Sequence, residues 1–297
     1  MIIYKNFAKN ISKANEEIVS DLMTATPLGR AYKKDDAPYV DDVHLFSTTG
    51  EDMEIHLSNE WKFHLNPKRF GGKIYMGAAG SLNLGFIDPA KPAAAILFDV
   101  NAAQTFFWNS CIKALAECDT PRNFISFLKE ENKSLSTKLA EKFAKAGGNS
   151  NPDRVAKGFR DAGGLDEWVA QGIKRLHADR FWMHFGYSHL HLMAKQGAIG
   201  AITLDVTDKK ACLHLKRYLK EMHKDTKIDM LYISNIFNFL GGNRDWSGRK
   251  LKDATPEKAK KNLQLLLADG AMIIHARPTE KLTWPARGST SAPPLYR

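Results

Sequence analysis

Lys73-Ile74-Tyr75-Met76-Gly77-Ala78-Ala79-Gly80-Ser81 is the stretch from which the fold is read. Four residues with a strand's apolar content run into a turn of small residues, and a helix pattern follows. Ser81 to Asp88 turns back as that helix, with Leu82, Leu84, Phe86 and Ile87 supplying apolar contacts and Pro89 and Pro92 breaking it. Ala94 to Phe98 is apolar without interruption, as a strand buried on both faces is, and Asp99 ends it. From Ala102 to Glu117, Phe107, Trp108, Cys111, Ile112 and Leu115 keep the three- and four-residue spacing of one buried helical stripe. Strand, turn, helix and strand in this order are the start of a parallel sheet.

The same rhythm returns later. Tyr187 to Gln196 reads as a helix ended by Gly197, and Ile199 to Leu204 as a strand ended by Asp205. Thr207-Asp208 caps a helix lined by Ala211, Leu215, Tyr218, Leu219 and Met222. Ile228 to Ile233 is a fourth strand, ended by Ser234-Asn235. Thr255-Pro256 starts a helix with Leu263, Leu266 and Leu267 inward, and Gly270 is expected to terminate it before a fifth strand, Ala271 to His275. The expected fold class is α/β, a doubly wound and mostly parallel sheet with a helical insertion. Residues 1–70 read as a partly helical lead-in, with one helix from Ser12 to Met23. Residues 71–277 form the α/β domain, 119–196 its helical insertion and 278–297 a tail.

Composition narrows the classes. The 297 residues are 43% hydrophobic, enough for a full core. No apolar run approaches the roughly 18 residues of a membrane span, and the start, Met1-Ile2-Ile3-Tyr4-Lys5-Asn6, does not read as a signal peptide. Cys111, Cys118 and Cys212 are too few and scattered for a disulfide framework or a zinc site, so a reducing cytoplasm is the expected setting. Lys plus Arg total 43 against 33 Asp plus Glu, a net charge of +10. The basic residues are spread over helices such as 208–225 and 249–261 with acids between them, which reads as solvated helix faces. The charge keeps a nucleic-acid modifier or binder as a lesser alternative, but no recognition module is apparent, so a small molecule is the expected partner.

Ligands of doubly wound sheets sit beyond the carboxyl ends of the strands, so the strand-ending residues carry the chemistry. Gly77-Ala78-Ala79-Gly80 is small enough for close approach of a ligand to the backbone, or is a plain tight turn. Asp99, about twenty residues downstream, is placed to accept both hydroxyls of an adenosine ribose. A dinucleotide site would want a fuller Gly-x-Gly-x-x-Gly, and position 82 is Leu, so a nucleoside without pyrophosphate suits the loop better. That favours S-adenosylmethionine over NAD. Asp205 could hold the adenine amino group with Val206 against the ring, or serve as an acid at a helix start. Ser234 and Asn235 face the expected reacting centre; Asn offers an acceptor and two donors there. Tyr187 is a candidate acid–base group. His184, His189 and His191 are read as surface or core histidines, because residues two apart on a helix point in different directions. No metal is expected.

The segment from Tyr75 through Gly77-Ala78-Ala79-Gly80-Ser81-Leu82-Asn83 to Ile87 resembles the first motif of an uncharacterised bacterial family with a class I methyltransferase-like fold. The likeness continues through Ile96-Leu97-Phe98-Asp99-Val100, returns at Gly197 to Asp205 and at Leu231 to Asn235, and covers roughly residues 70–128 and 185–276. A narrower segment, Asp99-Val100-Asn101-Ala102-Ala103-Gln104, is similar to the Asp-x-Asn-x-x-Gln of the betaine-lipid enzymes, which transfer the 3-amino-3-carboxypropyl group of S-adenosylmethionine to diacylglycerol. These resemblances imply a cofactor site of Gly77, Ala78, Ala79, Gly80, Asn83, Asp99, Val100, Asn101, Gln104, Asp205, Val206 and Ser234. They imply methyl transfer by default, with aminocarboxypropyl transfer or cyclisation as the alternative; a cofactor-binding protein without catalysis is a third possibility. Methyltransferases of this class add a hairpin after the fifth strand. Here only Leu282-Thr283-Trp284 offers a remnant strand, and the insertion at 119–196 is a candidate lid in place of that hairpin.

Overall fold

The structure is a computed structural model, and it describes residues 6–24, 65–78, 82–100, 102–131, 186–222, 224, 226–233, 236–241, 255–276 and 282–283. Its centre is a six-stranded sheet of order β3-β2-β1-β4-β5-β6. The strands are β1 (Ile74–Ala78), β2 (Ala94–Asp99), β3 (Ile199–Thr203), β4 (Ile228–Tyr232), β5 (Leu267–Ala276) and β6 (Leu282–Thr283). The first five are parallel. β6 runs antiparallel against the end of β5, pairing Thr283 with His275 and Leu282 with Ala276. The doubly wound α/β sheet expected from the apolar strands is therefore present, and the remnant strand at Leu282 is a real edge.

Alternate residues of each strand face two helical layers, because successive side chains of a strand point to opposite faces. Ile74, Met76, Ile96, Phe98, Ile202 and Leu231 belong to one core. Tyr75, Ala95, Leu97, Ala201, Met230 and Tyr232 belong to the other. The first core is covered by α1 (Phe7–Thr24), with residues contributed by α7 (Lys209–Met222), α8 (Ile236–Gly241) and α9 (Pro256–Leu263). The second is covered by α2 (Pro67–Phe70), α3 (Leu82–Ala90), α4 (Ala102–Glu117), α5 (Pro121–Glu130) and α6 (Tyr187–Lys195). Trp108, Phe107 and Phe124 are buried there; each such side chain contributes roughly 1.5–3 kcal/mol of hydrophobic stabilisation.

Local signals explain the helix starts. Asn66, Thr120 and Thr255 each accept a backbone N–H three residues on, and each precedes a proline at the first helical position. α1 starts earlier than the Ser12 expected from sequence: Phe7, Ile11, Ala14 and Ile18 form its buried stripe. It lies on β3, where Gly200 leaves room for Ile11; a Cβ there would stand 2.9 Å from Ile11 Cγ2. Pro89 lies within the last turn of α3 and does not stop it; the helix ends at Ala90, just before Pro92.

Gly270 corrects the sequence reading. It is not the cap of α9, which stops at Leu263 with Gln264 as its C-cap. Leu267 already pairs with Ile228, and the register then shifts so that Met272 pairs with Met230. Gly270, at φ 75°, sits within that irregularity of β5, where a left-handed backbone conformation suits glycine. Leu266 and Leu267 are buried, but as turn and strand residues.

Candidate functional site

The strand order reverses direction at β1. β2 and β3 lie to one side of it, β4 and β5 to the other, which makes the carboxyl ends of β1 and β4 the switch point where sheets of this kind place a ligand. Register then decides which residues meet there. Ala78 stands opposite Phe98, Gly77 opposite Tyr232, and Asp99 opposite Thr203. The end of β1 and the carboxylate ending β2 are thus neighbours, one residue apart along adjacent strands. Leu204 N–H donates to the Asp99 carbonyl at 2.8 Å, tying the end of β3 to the same edge. Asp99 and Val100 are half-buried.

Asn83 has a different place from the one the motif suggests. It is fully buried under the end of β1. The Tyr75 hydroxyl donates to its Oδ1 at 2.6 Å, and its Nδ2 donates to the Ala78 carbonyl at 3.0 Å. Burial, with Tyr232 nearby, holds the Tyr75 phenol well above its ordinary range, so it keeps the proton it donates. Gly77 is needed for this arrangement: a Cβ on it would overlap Asn83 Oδ1 and the Tyr75 oxygen. The space opened by Gly77 is filled from within the protein. What Asn83 does is lock the carbonyl of Ala78, the last residue of β1.

Asp205 closes the end of β3. Its Oδ1 accepts both the backbone N–H of Thr207 at 2.8 Å and the Thr207 hydroxyl at 2.7 Å. This is an Asx turn, in which the side chain substitutes for backbone pairing. Burial pushes the carboxyl's pKa up, and the two Thr207 bonds pull against that. Asp208, not Thr207, makes the first helical contacts, accepting Lys210 N–H on its side chain and Cys212 N–H on its carbonyl. Val206 is buried in the core, and its carbonyl accepts Asn262 Nδ2 at 3.1 Å. Its side chain is a packing group on the α7–α9 side of the sheet.

Tyr187 does not join this edge. α3 and α4 start near the carboxyl ends of β1 and β2 and run back, so their last residues lie toward the opposite edge. Gly186 abuts Asp88 near the end of α3, and the Tyr187 hydroxyl donates to the Cys118 carbonyl, just past α4, at 2.8 Å. The phenol is buried, its pKa is pushed far up by that burial, and it stacks on His191. An acid–base role for Tyr187 gives way to a packing role. His191 Nδ1 donates to the Leu115 carbonyl at 2.7 Å. Burial, reinforced by Lys91, depresses His189 to about 4, against the pull of Asp88. No group of metal ligands occurs among the described residues. Ala79, Gly80, Asn101, Ser234, Asn235 and His184 lie outside the described residues, as does the side chain of Gln104.

Two partners escape a reading by strand ends alone. Tyr75 lies within β1, not at its end, and Thr207 looks like an ordinary helix-start residue. The signal available for Thr207 is the Asp-x-Thr spacing of a local turn; none exists for Tyr75, because its contact depends on α3 folding back over β1.

A search among curated proteins finds no match. Residues 56–293 match the model of a family described as a domain of unknown function, DUF7790, and the chain belongs to that family.

Proposed function

We propose that the protein binds S-adenosylmethionine at the carboxyl edge of β1, β2 and β4 and transfers a group from it to a small-molecule acceptor, by default the methyl group. The reading is carried by the register that brings the end of β1, at Ala78, next to Asp99 at the switch point of the sheet. An uncharged small-residue strand end next to a carboxylate suits a nucleoside better than a pyrophosphate. The antiparallel β6 beside β5 supports the same reading, as a shortened form of the hairpin that closes the class I methyltransferase sheet.

In this reading Asp99 accepts the two ribose hydroxyls, and the small residues that follow Ala78 in the sequence serve the sugar and the amino-acid half. Asn83 and Tyr75 hold the Ala78 carbonyl in place and do not touch the ligand. Asp205 meets the adenine amino group through Oδ2, because Oδ1 is occupied by Thr207. Ser234 and Asn235, which follow β4, orient the reacting centre. The bound cofactor supplies a sulfonium with three activated carbons. The protein's part is to exclude water and set the acceptor in line with one of them.

The Asp99-x-Asn101-x-x-Gln104 segment, running from the end of β2 into α4, favours a second reading in which the aminocarboxypropyl carbon is attacked. Incubation of the purified protein with S-adenosylmethionine separates the readings by product. Methyl transfer leaves S-adenosylhomocysteine; loss of the side chain leaves methylthioadenosine. Calorimetric binding without turnover across many acceptors indicates a non-catalytic binding protein. Absence of binding overturns the proposal.

A further inference from the structure

The sequence interleaves acids with bases along residues 208–225, and the fold engages Asp208 and Glu221, the two of those acids among the described residues. Asp208 caps α7. Glu221 and Glu17, the latter from α1, both turn onto Arg217, and Glu17 also accepts the Tyr218 hydroxyl at 2.5 Å. What remains on the outer side of α7 is a row of lysines. Lys209, Lys216, Lys220 and Lys224 have no ion-pair partner among the described residues, nor does exposed Lys261 on α9. From Lys216 to Lys224 the row repeats every four residues, about 6 Å per step along a helix.

The other helical layer also has cations with no ion-pair partner among the described residues, Lys68, Arg122, Lys129 and Lys195, but they are dispersed over α2, α5 and α6 and form no row. Lys91 pairs with Asp88 and Lys113 with Glu117, while Glu130 and Glu131 stand beside Lys129. The difference between the layers is therefore one of arrangement, which the composition hides.

We propose that the α7–α9 face binds the phosphate backbone of a nucleic acid. A row of unpaired cations interrupted by one exposed leucine, Leu213, suits backbone binding, since counterion release supplies the free energy and no base contact is required. An anionic membrane would want apolar side chains to insert, and Leu213 is the exposed large hydrophobic residue on this face among the described ones. An acidic protein partner would want a buried aromatic or aliphatic anchor, which the row does not offer. The proposal does not rest on the cofactor reading, because the row lies on the outside of a helix layer.

The test is fluorescence anisotropy with the full chain and labelled RNA and DNA of about 20 nucleotides, single-stranded and duplex, from about 50 to about 200 mM salt. Two charge-reversal triples carry the same change of net charge. One is Lys209→Glu, Lys216→Glu and Lys220→Glu on the row; the other is Arg122→Glu, Lys129→Glu and Lys195→Glu on the opposite layer. The expected result is wild-type binding that falls at least about tenfold over that salt range. The row triple should lose a further tenfold or so, with the control triple staying within about twofold of wild type. A milder Lys→Gln triple on the row, checked for native melting, should show the same loss. Equal weakening by the two reversal triples would mean that only net charge matters, and would overturn the proposal. So would absence of binding at the lowest salt, or binding to phosphatidylserine vesicles without binding to nucleic acid.

Discussion

The ends of β1 and β3 lie on the same edge of the sheet, and each is closed by a polar side chain of its own segment. At β1 the closing group is neutral. Asn83 donates to one partner and accepts from another, so it can be buried completely with its hydrogen bonds made. At β3 the closing group is a carboxylate. Asp205 accepts twice on one oxygen, and burial still raises its pKa, because hydrogen bonds only partly replace the water a charge loses. The comparison teaches that an amide can be spent wholly on architecture, whereas a carboxylate keeps a second oxygen, a titration and a residual demand for a partner. The same residue types read as ligand contacts in the sequence therefore divide here into a platform and a candidate contact.

The largest effect is expected from Gly77→Ala, which drives a methyl group into Asn83. Overpacking of this kind should cost about 1–3 kcal/mol or more in urea unfolding. Asn83→Ala alone should also destabilise, by about 1–3 kcal/mol, because it orphans the buried Tyr75 hydroxyl and Ala78 carbonyl. The double variant should lose clearly less than the sum, since the clash has gone. Strict additivity would show that the two residues do not share one lock.

Asp99→Ala comes next. It should leave unfolding nearly unchanged and weaken S-adenosylmethionine binding about tenfold or more by calorimetry, as loss of charge-assisted hydrogen bonds does. Unchanged affinity would take Asp99 out of the site.

Asp205→Asn is expected to be smaller and dependent on pH. A carboxyl whose folded pKa is raised stabilises the fold fully below its ordinary value of 3.8, and that contribution is lost as pH rises through the folded value. The asparagine variant keeps an Oδ1 acceptor for Thr207. Its stability relative to wild type should therefore improve between about pH 4 and about pH 7. A constant difference over that range would mean that Asp205 titrates normally.

Glu17→Gln gives the smallest effect and the opposite sign. The Tyr218 hydroxyl, helped by Arg217 and His214, holds the Glu17 carboxyl below its ordinary value of 4.5 against an opposing effect of burial that ranks next after the Tyr218 bond. Its contribution is present above 4.5 and is lost as pH falls through the folded value. Because the group is partly solvent-screened, removing it should cost no more than about 1 kcal/mol at neutral pH and nothing in acid. Pulse proteolysis at two pH values would show whether α1 loosens from α7 as expected.

Much of the fold was legible before any coordinates. Ala94 to Phe98 and Ile199 to Leu204 read as strands because a doubly covered strand has no polar residue to spare. Thr120-Pro121 and Thr255-Pro256 read as helix starts because capping is a contact within three residues. Gly270 misled because a glycine in the left-handed region serves a helix end and a strand irregularity equally well, and Leu266 and Leu267 are apolar in either setting. Of the candidate site, the neighbourhood of Ala78 and Asp99 followed from the order of strands. The duties of Asn83 and Tyr187 did not.

The sequence by itself determined the alternation of strands and helices, the apolar faces and the caps, since each depends on residues a few positions apart and on burial alone. Only the tertiary structure decided which strands are neighbours, that β6 runs backwards beside β5, and that Tyr187 answers Cys118 across 69 residues. It likewise decided that Asp208, Glu221 and Glu17 are engaged around α7 while Lys209, Lys216 and Lys220 keep no ion-pair partner among the described residues. Hydrogen bonds and ion pairs act over a few ångströms, and chain order does not reveal which distant groups come that close.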